Sequence, residues 1–130
     1  MLLEKNQSVL DIGCGWGGMA AHIYKKSDAN VVGVTLSEEQ IAYAEQRKIR
    51  EKLDKVEYRL QDYRNVNEKY DRIVSVGMFE HVGTAHYQEF FNKVFDLLND
   101  NGVALIHTIG RLNEPGTTDS WIDKYIFPGG

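Results

Sequence analysis

Three side chains able to move protons stand at the ends of apolar runs. Glu80 and His81 follow the Met78-Phe79 pair, just past the run DRIVSV at 71–76, and His107 lies within ALIHTIG at 104–110. A carboxylate can accept a proton, and an imidazole exchanges one near neutral pH. If the two runs are adjacent strands, Glu80 and His107 meet at one end of a sheet and form a polar site. The alternatives are that Glu80 or His81 caps a following helix and that His107 is a satisfied core histidine. Two histidines and an acid are also metal-ligand types, but no third ligand has evident spacing, so no metal is expected.

A second group of residues has binding chemistry. Val9–Gly18 reads VLDIGCGWGG: an apolar run ending in glycines, as a buried strand feeding a tight turn would. Gly13, Gly15 and Gly17 can take positive φ or let the backbone approach a ligand, and a helix from about Trp16 to Lys26 would turn its first free amides toward the same place. The alternative is a turn with a purely structural role. Asp11, a carboxylate at a strand end, needs a partner and favours a binding role. A nicotinamide enzyme carries an acid about 20 residues past its glycines, where this chain has Thr35 and Leu36, which argues against NAD. Leu36 could instead flank an adenine ring, Asp62 could accept from its amino group, and Gln40 could reach the rest of the nucleotide. Gln61 and Tyr63 flank Asp62 at the same strand end. For Asp62 the alternative is a solvated loop acid.

These residues need a scaffold of alternating strands and helices. Strands are expected at Val9–Gly13, Val31–Val34, Val56–Leu60, Asp71–Val76 and Val103–Thr108. Ser37 with Gln40 three residues on makes a capping box for a second helix running to about Leu53, whose inner face is Ile41, Ala44, Ile49 and Leu53. Tyr87, Phe91, Val94 and Leu98 mark the inner face of a helix over about Ala85–Leu98, and Asn101-Gly102 turns the chain into the last strand. The expected fold is α/β, three layers around a mostly parallel sheet. Ligands of open sheets bind beyond the carboxyl ends of the strands, where all the residues above fall.

Composition narrows the field. The 130 residues suffice for one core and carry a formal charge of −4, with no basic run suited to a nucleic acid. Cys14 is the only cysteine, so no intramolecular disulfide can form. No signal peptide or membrane-spanning stretch is evident, which makes the cytoplasm the default expectation. Residues 1–110 read as a ligand-binding core. From Arg111 the chain turns polar and then aromatic, through Trp121-Ile122 and Tyr125-Ile126-Phe127, as the start of a further segment.

The blocks VLDIGCGWGGMA, VVGVTLSEEQ, LQDYR, DRIVSVGMFEHVG, LIHTIG and WIDKYIFPGG, in this order, resemble the cyclopropane-fatty-acyl-phospholipid synthase family, which includes the mycolic acid cyclopropane synthases. The first block indicates only a class I S-adenosylmethionine-dependent methyltransferase; GMFEHVG, HTIG and YIFPGG are far more specific. The resemblance implies a Rossmann-like methyltransferase fold with its last strands missing, since full members are much longer. It implies S-adenosylmethionine held by Asp11, Gly13, Gly15, Gly17, Thr35, Leu36, Gln40, Gln61, Asp62 and Tyr63. It also implies methylene transfer across a cis double bond of a phospholipid acyl chain at the membrane surface, peripheral to the inner face. A bicarbonate ion, held by Glu80, His107 and the backbone at Ile109, would take the proton lost on ring closure. Related enzymes of the same shape methylate small amines or other lipids, and that activity is the alternative. A non-catalytic module that binds the cofactor or assembles with another subunit is a third reading. An open edge on the last strand would let a second copy pair, giving a homo-oligomer.

Overall fold

A computed structural model of the chain describes residues 1–110. The segment expected to begin a further unit at 111–130, with its Trp121–Phe127 run, lies outside the described residues. Five strands form one sheet: β1 (Ser8–Ile12), β2 (Asn30–Thr35), β3 (Val56–Leu60), β4 (Tyr70–Val76) and β5 (Leu98–His107). Their order is β3-β2-β1-β4-β5, and every neighbouring pair is parallel. All carboxyl ends therefore lie along one edge of the sheet. The strand order reverses between β1 and β4, and α/β sheets open a crevice at such a point.

Alternate residues of β1 serve two cores. Val9 packs with Val31, Val56 and Val74 beneath α1 (Gly18–Ser27) and α2 (Glu38–Glu51), which contribute Ala20, Ala21, Ile23 and Ala44. Leu10 and Ile12 face the other way, onto Phe90, Val94 and Leu97 of α3 (Tyr87–Leu97). The sheet is thus a central layer buried on both sides, and its strands are near-continuously apolar for that reason.

Several boundaries differ from the sequence reading. The first helix starts at Gly18 and not near Trp16, because Cys14–Gly17 closes a turn in which the Gly17 amide donates to the Cys14 carbonyl at 3.0 Å. Ile49 is exposed, so the inner face of α2 is carried by Ala44 with half-buried Ile41 and by Leu53 just beyond the helix end. On α3 the buried ridge is Phe90, Val94 and Leu97, while Tyr87 and Phe91 lie outside it. Adjacent Phe90 and Phe91 both fit a helical repeat, and the sheet selected the first. A three-residue 3-10 turn, Thr84–His86, precedes α3 where a continuous helix was expected. Leu98 already pairs with Tyr70, so β5 begins earlier than Val103 and the Asn101-Gly102 turn is an irregularity within the strand. Asp71 clamps this end of the sheet, accepting from the Ser8 amide and hydroxyl at 2.9 and 3.1 Å and from Asn99 Nδ2 at 2.8 Å.

Candidate functional site

The glycine turn leaves β1 with left-handed backbone at Gly13, Gly15 and Gly17, φ 76°, 53° and 80°. Each glycine has a different reason. A side chain at Gly13 would strike Met78, whose Cβ and Cγ lie 2.6 Å from the position of an added Cβ. At Gly17 it would strike the Tyr58 hydroxyl, again at 2.6 Å. At Gly15 it would meet nothing within 4 Å, so that position opens onto free space. Trp16, between them, is half exposed and meets Tyr43 edge-on with centroids 5.5 Å apart.

Asp11 lies beneath this turn. Its side chain is buried, accepts from the Ala20 amide in the first turn of α1, and has Oδ2 without a partner. Gly17 caps α1 with no side-chain bond and the first turn of the helix has no acid, so Asp11 supplies from β1 the acceptor that the helix lacks. Burial, only partly offset by the Ala20 amide, pushes its carboxyl up to about 7. Burial and then the Asp11 charge push the Cys14 thiol up to about 12, which leaves it a space-filler and not a nucleophile.

This carboxyl sets a pH dependence. The folded chain binds the Asp11 proton more tightly than the unfolded chain, whose carboxyl keeps the ordinary 3.8. The Asp11 contribution therefore favours folding at low pH, declines as pH rises from about 4 to about 7, and is flat above. Asp11→Asn is expected to stabilise the chain more at pH 7.5 than at pH 4.5. The difference should be a few kcal/mol, because each tenfold gap in proton affinity between the folded and unfolded chain is worth roughly 1.4 kcal/mol. Urea unfolding of both chains at the two pH values checks this; an equal effect at both would count against it.

Beside the turn is a cavity of about 350 Å³, a size typical of small-molecule sites. Of the residues singled out by the sequence, Gly13, Thr35, Leu36, Gln61, Asp62, Tyr63 and His81 line it. Its apolar walls are Ile12, Val34, Met78 and Val82, which the sequence reading did not select. Met78 and Val82 flank Glu80 and His81 in GMFEHV. Asp11, Gly15, Gly17 and Gln40 stand outside this lining. Thr35 uses its hydroxyl internally, donating to Gln40 Oε1 at 2.9 Å and accepting from the Ser37 amide at 3.3 Å. The expected capping box is therefore half made: Ser37 Oγ accepts from the Gln40 amide at 3.3 Å, while the Gln40 side chain turns to Thr35.

Asp62 is half-buried and already has partners. It caps the 3-10 turn Tyr63–Asn65 by accepting from the Arg64 amide at 2.9 Å, and the Arg64 guanidinium reaches both its oxygens at 2.7–3.2 Å. The Arg64 pairing, against a smaller opposing effect of burial, holds its carboxyl below the usual range. Arg64 also approaches Glu89 at 3.8 Å, and Glu89 meets His86 at 3.4 Å, so a chain of charges borders the cavity.

The proton-moving group lies along the same edge. Glu80 sits in the 3-10 turn Phe79–His81 after β4, and its Oε1 accepts from the Ile109 amide at 2.6 Å. Oε2 is buried without a partner. Burial alone would raise the Glu80 carboxyl; the amides of Ile109 and Glu80, the Thr108 side chain and the His81 charge together outweigh it and hold the group below its usual range. The structure thus joins Glu80 to Ile109. His107 ends β5 opposite Val76, its carbonyl accepting from the Gly77 amide at 3.1 Å and its ring exposed. Among the described residues no three His, Cys, Asp or Glu side chains group to hold a metal ion, and no helix is long and apolar enough to cross a membrane.

Residues 1–130 match the family described as mycolic acid cyclopropane synthetase. Over 128 residues the chain is 51% identical to the cyclopropane-fatty-acyl-phospholipid synthase of Escherichia coli strain K12, covering 98% of this chain and 33% of that protein. The structure of the cyclopropane synthase MmaA2 from Mycobacterium tuberculosis is similar with a TM-score of 0.86 at 36% identity, covering all of this chain and 50% of that one. A structure of the mycolic acid cyclopropane synthase CmaA1 complexed with SAH and CTAB is similar with a TM-score of 0.81 at 36% identity, covering 98% of this chain and 44% of that one. The chain therefore spans a third to a half of the length of these relatives.

Proposed function

Since the chain belongs to the mycolic acid cyclopropane synthetase family, we propose that it binds S-adenosylmethionine along the carboxyl edge of its sheet and forms the cofactor half of an enzyme that cyclopropanates unsaturated lipid acyl chains. The observation that carries this reading is a glycine turn open at Gly15, beside an apolar-walled cavity, on the same sheet edge as a buried carboxylate with a partnerless oxygen. Residues 1–110 are the cofactor-binding core in this reading.

The residues present fit the cofactor. Leu36, Val34 and Met78 offer apolar contact to the base, and Asp62, kept ionised by Arg64, offers an acceptor to its amino group. Gln40, with its oxygen occupied by Thr35, presents its amide nitrogen as a donor for hydroxyl or carboxylate oxygens. The space above Gly15 and the free amides at the start of α1 suit the amino-acid end, with Asp11 steadying the turn from below. When bound, the cofactor supplies an electrophilic methyl carbon. Glu80 is the group that receives or directs the proton leaving that carbon as the ring closes.

A bicarbonate ion fits the described residues less well. The Ile109 amide, its expected donor, is already given to Glu80 Oε1, and no step is derived through the ion. For the acceptor we favour the cis-unsaturated acyl chains of phospholipids over mycolic acids, because the relative at 51% identity carries the phospholipid name. A peripheral place at the inner membrane face follows from that substrate. Among the described residues β5 is one of the two edge strands, and pairing through it would make the protein a homo-oligomer. A monomer in light scattering over a wide concentration range would remove that part.

The direct test gives full-length protein methyl-labelled S-adenosylmethionine with vesicles of unsaturated phospholipid and analyses the released acyl chains. Labelled ring fatty acids are expected; methyl esters or methylated amines in their place would overturn the reading. For the cofactor half, Asp62→Ala is expected to weaken S-adenosylhomocysteine binding by about 1–3 kcal/mol, the range for a buried hydrogen-bond partner. Calorimetric titration measures it. A loss beyond that range would mean that Asp62 holds the loop through its cap of Tyr63–Asn65 more than it holds the base.

A further inference from the structure

Tyr58 looks from the sequence like an ordinary strand residue, yet its side chain reaches from β3 to the underside of the glycine turn. Its hydroxyl donates to the Gly17 carbonyl at 2.9 Å in a buried contact. That carbonyl also accepts from the Ala21 amide at 3.1 Å, as the first bond of α1. Gly17 is the left-handed cap of the helix and has no side chain of its own to fix it. The phenol occupies the space that two glycines leave. A Cβ at Gly17 would lie 2.6 Å from the hydroxyl, and one at Gly33 would lie 3.1 Å from the ring and 2.8 Å from Cys14 Cβ. Burial foremost keeps the phenol protonated, and so a hydrogen-bond donor, at any ordinary pH.

We propose that Tyr58 is a positioning residue for the amino-acid end of the cofactor, holding the Gly17 carbonyl so that the first free amides of α1 point into the space above Gly15. The proposal rests on the cofactor reading given above. Asp11 on β1 takes an amide of the first helical turn and Tyr58 on β3 takes the carbonyl of its cap. The two strands thus fix the helix start in both tilt and rotation. The base and ribose lie largely outside this hold. The cavity they would occupy is lined mainly from the end of β2, the segments after β3 and β4 and the start of α3. It meets β1 and the glycine turn only at Ile12 and Gly13, ahead of Gly15 and Gly17.

Tyr58→Phe removes the hydroxyl and leaves the ring, and the Gly17 carbonyl keeps its Ala21 bond. In the chain without ligand, amide exchange at Gly18–Ala20 is expected to quicken severalfold while β3 and α2 stay unchanged. In calorimetry, affinity for S-adenosylhomocysteine is expected to fall about fivefold, as for one net hydrogen bond. Affinity for 5′-methylthioadenosine, which lacks the amino-acid end, should stay within about twofold by the same argument. Equal loss for both ligands, or no loss for either, overturns the positioning role. If the unmodified chain binds neither ligand, the cofactor reading fails by itself, and unchanged amide exchange in the variant would still overturn the hold on the turn. Should the variant not fold, the unmodified chain decides by magnetic resonance. A slowly exchanging Tyr58 hydroxyl proton in contact with Gly17 supports the proposal, and one in fast exchange with water overturns it.

Discussion

Gly15→Val is expected to abolish S-adenosylhomocysteine binding, a loss of at least about a hundredfold, in a chain that still folds. Two effects combine. The backbone there is left-handed, φ 53°, which costs a residue with a Cβ roughly 1–2 kcal/mol and a β-branched one more. An added Cβ meets no protein atom within 4 Å, so the methyls project into the space assigned to the cofactor. Gly13 and Gly17 are poorer probes, since side chains there collide with Met78 and Tyr58 and would disturb the fold first. Calorimetric titration with circular dichroism as the folding control decides the matter. A folded Gly15→Val chain that binds as well as the unmodified one would sink the cradle. So would an unmodified chain that ignores S-adenosylhomocysteine and binds NAD.

Glu80→Gln is expected to reduce ring formation by about 10²- to 10⁴-fold in the full-length enzyme, the range for loss of a positioned general base. The exchange preserves shape and can preserve the bond from the Ile109 amide through the amide oxygen. It removes the charge and places an NH₂ group where Oε2 now lies buried without a partner. S-adenosylhomocysteine affinity should be unchanged within about twofold, because Glu80 stands outside the cavity lining. Simple methyl transfer to an amine needs no such base, as the product nitrogen loses its proton readily to water. Amine methylation that survives Glu80→Gln, with no ring activity in the unmodified enzyme, would favour the amine reading. Ring formation indifferent to the exchange would remove Glu80 from the chemistry.

The aromatic helix separates what a pattern can say from what packing decides. The 3.6-residue repeat announced a helix near 85–98, but two neighbouring aromatics satisfied it equally, and only contact with Leu10, Ile12 and Ile73 put Phe90 and not Phe91 inside. Ile49 is exposed because it lies off the buried stripe through Ala44. The strands suffered less. A sheet buried on both faces writes itself as short apolar runs bounded by turn residues. So β3 falls at Val56–Leu60 as expected and β1, β2 and β4 nearly so, while β5 starts at Leu98 and not at Val103.

Local sequence alone determined the strand-turn-helix order, the glycine turn, the edge on which Asp62, Glu80 and His107 would fall, and the family. Each of these depends on residue type and spacing along the chain. The tertiary structure decided which distant partners those groups found: the Ile109 amide, 29 residues on, engages Glu80. It also decided that Asp11 would be buried with one oxygen unpaired and that Tyr58, 41 residues from Gly17, would hold the turn. Hydrogen bonds and desolvation act over a few ångströms in space, and no spacing along the chain encodes which strand passes beneath which turn.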